Sequence, residues 1–213
     1  MPTLNLRPRR SFLYVPASRP DRFPKAMSSG ADMVCVDLED AVASDAKDQA
    51  RLDAIALFAG PERGPERLLR INSLATDHGR ADLAAVAAAD QPPDGIRLPK
   101  VRGVEEILSA IDAVGHHADL KLHIQMETNE ALEHAMDMAR AHGLVASLVF
   151  GGFDMAAALR VEPGWDALLY ARGRLVHAAA GAGIDLLDMP YFGLDDEAGL
   201  RAEAAQAQEI GFT

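Results

Sequence analysis

The stretch Ser11-Phe-Leu-Tyr-Val-Pro16-Ala-Ser-Arg-Pro20 decides the fold. Its first six residues form a β-rich run, and Pro20 opens a helical stretch reaching Ser29, so it reads as strand, turn and helix. The same reading repeats along the chain. Further strands are predicted at 33–38, 68–72, 95–100, 120–126, 146–150 and 184–189. Helices are predicted at 45–58, with Ser44 as N-cap, and at 77–89, 104–114, 129–141, 154–159, 165–180 and 197–209. Seven strand–helix units without a run of hairpins predict parallel strands joined by crossover helices. Two architectures use that pattern: an open doubly wound sheet and a (β/α)8 barrel. The open sheet calls for a Gly-rich phosphate turn after its first strand, and Pro16 to Pro20 holds no glycine. The barrel calls for polar groups at the C-terminal ends of its strands. Those ends offer Tyr14; Asp37, Glu39 and Asp40; Arg70 and Asn72; Lys100; Glu127; and Asp154 just past the sixth. The prediction is an α/β TIM barrel, one domain over 1–213, with seven of the eight β/α units present.

Composition narrows the function classes. With 49% apolar and 25% charged residues, the chain can bury a core, which excludes disorder and collagen. A lone cysteine, Cys35, forms no internal bridge and reads as a small core residue, which points to a reducing, cytoplasmic compartment. No apolar run approaches the ~20 residues of a bilayer span, and no apolar segment follows the N-terminal arginines. Thirty-two acidic against 21 basic side chains, a net charge of −11, speak against nucleic acid as a partner. H-E-x-x-H, paired C-x-x-C, G-x-S-x-G and P-loop motifs are all missing, which removes zinc proteases, redox dithiols, α/β-hydrolases and P-loop NTPases.

Glu127 and Asp154 are carboxylates of adjacent units, and two carboxylates plus water suit a hard divalent ion such as Mg2+. The competing reading makes each an exposed acid near a helix N-terminus. Gly151-Gly152 shifts the balance toward a ligand site, because paired glycines let backbone N–H groups approach an anion. Arg70 lies in an apolar strand, where a charge is costly unless paired or functional. Its fork matches a carboxylate or a thioester oxygen, and the alternative is a structural ion pair. Strand alternation puts Asp37 and Glu39 on one face, with Asp40 placed to cap the next helix. One of these acids reads as a buried partner to Arg70 or Lys100, and Asp37 joins Arg70 as a candidate catalytic residue. His123 reads as a packed, hydrogen-bonded histidine, and the other six histidines as surface.

The runs Arg9-Arg-Ser-Phe-Leu-Tyr-Val-Pro16, Asp37-Leu-Glu-Asp-Ala-Val42, Leu69-Arg-Ile-Asn72, Leu98-Pro-Lys100, Met126-Glu-Thr128 and Phe150-Gly-Gly-Phe-Asp154 are similar to the citrate lyase beta subunit group of the HpcH/HpaI aldolases, which includes malyl-CoA and citramalyl-CoA lyases. The resemblance implies a TIM barrel, Mg2+ as cofactor, a homo-oligomer (commonly a trimer), and reversible cleavage of a 3-hydroxy-acyl thioester into an acetyl thioester and a 2-oxoacid. It makes Glu127 and Asp154 the metal ligands and Arg70 the residue that contacts substrate and stabilises the enolate. It puts Tyr14 and Lys25, with Arg22 a weaker candidate, on the CoA moiety, and the Gly151, Gly152 and Phe153 backbone on the oxoacid carboxylate. Two alternatives stand beside this: a metal-dependent aldolase of free hydroxy-oxo-acids, and a non-catalytic binding protein. In that family a G-K-x-x-I-H-P stretch and a C-terminal segment follow the position of Ile210-Gly-Phe-Thr213, so this chain is expected to stop just before strand eight.

Overall fold

The computed structural model describes residues 8–60 and 64–213. The chain divides into two compact units, one of Met1–Arg97 with Ala113–Lys121, the other of Leu98–Asp112 with Leu122–Thr213.

In the first unit β1 (Phe12–Pro16), β2 (Met33–Asp37), β3 (Glu66–Arg70) and β4 (Gly95–Leu98, whose last residue belongs to the second unit) pair in parallel, in chain order. Every residue of β2 and β3 is buried, as expected of parallel strands covered on both faces. The crossovers are α1 (Phe23–Met27) behind a 3-10 turn at Pro20–Arg22, α2 (Lys47–Leu57) behind one at Ser44–Ala46, and α3 (Asp77–Ala87). Ser44 therefore sits inside the turn that precedes α2 and makes no capping bond. Thr76 does cap, its Oγ1 accepting from Gly79 N at 3.0 Å. Gly79 is required there, because a Cβ would collide with the Ser73 carbonyl.

Helix α4 (Val104–Val114) runs across the boundary between the units. The second unit holds β5 (Lys121–Met126, from Leu122 on), β6 (Val145–Phe150) and β7 (Asp185–Leu187), again parallel and in chain order. Its helices are α5 (Asn129–Glu133), α6 (Ala135–Ala139), α7 (Gly152–Leu159), α8 (Trp165–Ala182) and α9 (Glu197–Ile210). The single helix predicted over 129–141 is interrupted at His134, whose φ of −94° and ψ of 14° leave the helical region. Thr128 caps α5, and Asp196 caps α9 by accepting from Gly199 N at 2.9 Å. Beyond α9, Thr213 N donates to Leu186 O at 2.9 Å and Thr213 Oγ1 accepts from Leu186 N at 3.0 Å.

The strand–helix alternation and the parallel pairing follow the sequence prediction, with seven strands among the described residues; an eighth unit and barrel closure are not among them. The third strand ends earlier than predicted, at Arg70, because Asp82 takes both the backbone N–H and the side-chain amide of Asn72. Among the described residues no helix is long and apolar enough to cross a membrane.

Candidate functional site

In the first unit the register of β2 and β3 sets Asp37 beside Arg70 at the strands' C-terminal ends. The pair is bidentate: Arg70 Nε donates to Asp37 Oδ1 at 2.7 Å and Nη2 to Oδ2 at 2.6 Å. Nη1 of the same guanidinium lies 3.1 Å from Glu39 Oε2 and 3.2 Å from Asp40 Oδ2. Burial works against the charge of Arg70, but the bonds from Asp37 and the charges of Asp37, Glu39 and Asp40 outweigh it and hold the guanidinium above the ordinary arginine range. The Asp37 carboxylate also accepts from Glu39 N at 2.9 Å and Ala41 N at 3.3 Å, which ties the loop after β2 to the same pair.

Two residues not singled out in the sequence complete this end. Arg97, beside Arg70 in the β3–β4 register, is buried, with its Cζ 5.1 Å from the ring centroids of both Phe12 and Tyr14. Arg70 approaches the Tyr14 ring at 5.2 Å, so Tyr14 has cation–π contacts with both arginines. A charge inside Gly95-Ile-Arg-Leu98 was the same signal that marked Arg70. Lys47, in contrast, begins an ordinary polar helix turn and left no such signal. Its Nζ donates to Leu38 O at 2.8 Å, Glu39 O at 2.8 Å and Asn72 Oδ1 at 2.6 Å. Asn72 is held in turn by Asp82, which accepts from Arg51 Nε at 2.6 Å. Along β1 and α1, Tyr14, Arg22 and Lys25 line one open cavity of about 690 Å³ with Leu13, Asp21 and Ser29.

In the second unit Glu127 follows β5 directly and is 2% exposed. Its Oε1 accepts from Lys100 N at 2.7 Å, and its Oε2 accepts from Gln125 Nε2. Lys100 adopts φ +54°, a conformation that costs a non-glycine residue about 1–3 kcal/mol and here goes with its N–H pointing at the carboxylate. Gly151 closes the opposite side. Its N–H donates to Met126 O at 3.0 Å, and a Cβ at Gly151 would lie 2.5 Å from Glu127 Cβ and 2.7 Å from Oε2. Gly152 and Phe153 open α7, where the first N–H groups have no intrahelical acceptor. Asp154 follows in the same turn, exposed and without a hydrogen-bond partner among the described residues. His123 is fully buried, its Nδ1 2.8 Å from Ser147 Oγ. Cys35 is likewise buried, and burial pushes its thiol far above the ordinary range, so it stays an inert core group.

A family model described as HpcH/HpaI aldolase/citrate lyase matches residues 10–213. The chain belongs to that family. A (3S)-malyl-CoA thioesterase of Cereibacter sphaeroides is 37% identical over 208 residues, which are 96% of this chain and 71% of the relative. A mitochondrial citramalyl-CoA lyase of Rattus norvegicus is 31% identical over 224 residues, 97% of this chain and 66% of the relative. Among solved structures, a citrate lyase beta subunit of Mycobacterium tuberculosis, complexed with oxaloacetate and magnesium, superposes with a TM-score of 0.79 at 29% identity, covering 94% of this chain and 87% of the other.

The residues at the ends of β5 and β6 fit such a cation. Both acids are hard oxygen donors. Glu127 is preoriented by Lys100 N–H and by the glycine that its carboxylate packs against, while Asp154 presents an uncommitted carboxylate. Among the described residues no group of three or more His, Cys, Asp or Glu side chains is arranged to hold a metal ion. Two acids suit Mg2+, which commonly keeps several waters and is bound through one or two carboxylates together with substrate oxygens.

Proposed function

We propose that the chain is a Mg2+-dependent carbon–carbon lyase that reversibly cleaves a 3-hydroxy-acyl-CoA of the malyl or citramalyl type into acetyl-CoA or a close homologue and a 2-oxoacid. We further propose that its seven β/α units are those of a TIM-type barrel and that it works in the cytoplasm. The observation that carries the reading is the carboxylate pair described above: a buried Glu127 fixed by backbone and glycine, and an open Asp154. The named relatives supply the substrate class.

Glu127 and Asp154 would hold the cation, which would supply Lewis-acid polarisation at the oxoacid end of the substrate. The Gly152 and Phe153 N–H groups, at the start of α7, face the substrate carboxylate. Arg70 stands at the thioester oxygen. As the C–C bond breaks, its electron pair passes into the acetyl unit and the hydroxyl proton leaves to a base. The enolate oxygen takes up the negative charge next to a guanidinium that Asp37 keeps in one orientation. A preorganised donor of this kind contributes about 3–4 kcal/mol to the barrier reduction. Asp37 spends both oxygens on Arg70 and on two backbone N–H groups, which fits it to positioning rather than to proton transfer. The cavity lined by Tyr14, Arg22 and Lys25 takes the CoA moiety, its two cations meeting phosphate.

A second reading has a specific support: the relative at 37% identity is named a thioesterase. In that case water adds to the thioester carbonyl, the C–S bond breaks, and malate and free CoA leave. Product analysis separates the two. With (3S)-malyl-CoA and Mg2+ we expect glyoxylate and acetyl-CoA, and in reverse a condensation of acetyl-CoA with glyoxylate. Malate and free thiol without glyoxylate would establish hydrolysis instead. Condensation of free pyruvate but not acetyl-CoA would establish the aldolase, and no turnover with any of these would leave a binding protein.

A further inference from the structure

Arg172, in the middle of α8, is one of the largest fully buried side chains, 2% exposed. Its Nε is 3.2 Å from both carboxylate oxygens of Asp188, the residue that follows β7. Its Cζ lies 4.5 Å from the Trp165 ring centroid and 5.2 Å from that of Phe150. Only part of the fork is used: Nη1 is buried with no hydrogen-bond partner among the described residues. A buried ion pair with an unsatisfied donor is a poor way to stabilise a fold, since desolvation offsets most of its attraction. What such a pair does well is fix the groups around it.

Two side chains tied to this pair, Phe150 and Met189, flank Gly152. Phe150, under the guanidinium, ends β6 two residues before it, and a Cβ at Gly152 would approach Phe150 Cε1 to 3.2 Å. On its other side that Cβ would strike Met189 Sδ. Met189 is tied to the same carboxylate, its N–H donating to Asp188 Oδ1 at 2.8 Å. Arg172 and Asp188 thus hold both walls of the slot in which the first residue of α7 lies. Asp154 stands two residues further along that turn.

We propose that Arg172 and Asp188 are positioning residues for the cation site: through Phe150 and Met189 they fix Gly152, and so the place at which the Asp154 carboxylate meets the metal. The inference rests on the reading of Glu127 and Asp154 as the Mg2+ ligands.

The test is the affinity of the full chain for Mn2+ alone, read as the free-ion paramagnetic resonance signal, with Mg2+ as competitor. Changes in the support of metal ligands typically weaken binding 10- to 100-fold, and about tenfold or more is expected for Arg172→Lys and for Asp188→Asn. Both variants nearly conserve shape, so they report even where Arg172→Met does not fold. Leu175→Ala is the control. It removes a fully buried side chain one turn along the same helix, and it should lower Tm while leaving Mn2+ affinity unchanged. Wild-type affinity in both Arg172→Lys and Asp188→Asn, with affinity lost in Asp154→Ala, overturns the inference and spares the metal reading. Equal weakening by Leu175→Ala also overturns it, because general loosening of α8 then suffices. Unchanged binding in Asp154→Ala overturns the metal reading, and the inference with it.

Discussion

The C-terminal end of β3 and the C-terminal ends of β5 and β6 treat charge in opposite ways. At the first, one guanidinium meets three carboxylates within 3.2 Å, and each of its nitrogens already has a carboxylate beside it. At the second, a buried carboxylate is held by a backbone N–H and a side-chain amide, and the exposed Asp154 carboxylate has no hydrogen-bond partner among the described residues. The Arg70 guanidinium is held by charged partners, whereas the Glu127 carboxylate accepts from neutral N–H donors. The contrast separates two kinds of preparation: a charge fixed by ion pairs, and a carboxylate oriented by a backbone amide and a side-chain amide.

That difference predicts separable losses. Asp154→Ala should cost at least about 100-fold in Mg2+ affinity, with lyase turnover falling about 10³-fold or more, because on the proposed reading one of two protein ligands is gone. Arg70→Lys keeps a charge in the cluster but gives up the bidentate fork. It should lower kcat by about 10²- to 10³-fold and leave Mg2+ affinity within about twofold. Calorimetry beside steady-state kinetics on the two variants checks this. Equal loss of metal in both would abolish the distinction between the two ends.

Lys47→Met probes the completeness of the first cluster. It strands Leu38 O, Glu39 O and Asn72 Oδ1, each of which accepts from Nζ at 2.8 Å or less. Unsatisfied, partly buried acceptors cost about 1–3 kcal/mol, so Tm should fall by about 3–10 °C, with Mg2+ affinity unchanged. A variant as stable as the parent would show that this loop does not depend on its lysine. Gly151→Ala is the corresponding change at the second end. A methyl group there must displace the Glu127 side chain, so we expect Mg2+ affinity to weaken by about tenfold. Unaltered affinity in calorimetry would show that the carboxylate has room to move without losing its function.

The two ends also differ in how far they could be read from the amino-acid order. Arg70, Asp37, Glu127 and Asp154 announce themselves because a charge beside Leu68-Leu or after Gln125-Met is costly without a purpose, and strand periodicity places it. Paired glycines before an acid are equally legible. Lys47, Arg51 and Asp82 are not, since an acid or base on an amphipathic helix is usually solvated, and only the fold turns these three inward to the Asn72 network. Arg172 hid for the same reason, in a helix that reads as Ala-rich and amphipathic. The early end of β3 was invisible too, because it depends on Asp82, ten residues away, taking the Asn72 amide. Periodicity reveals what a residue faces along its own element, but a bond that joins two elements leaves no mark on either one.

The smallest effect concerns the fringe of the second end. Glu203, on α9, has its carboxyl held above the ordinary range by partial burial and by the charge of Asp188, with Arg172 opposing. For an acid whose pKa is raised by folding, the folded state disfavours the charged form. The penalty is absent below the unfolded value, near pH 4, and grows as pH rises through the folded value. Glu203→Gln removes that charge and should therefore raise Tm at pH 8 and leave it unchanged at pH 4. Glu203 is half-buried at the protein surface, and solvent screening keeps the gain to about 1 °C. Repeating the melts in Asp188→Asn, where one source of the repulsion is gone, should shrink the gain further. The same rise at both pH values would mean that the substitution acts through packing rather than through the charge that Glu203 shares with Asp188.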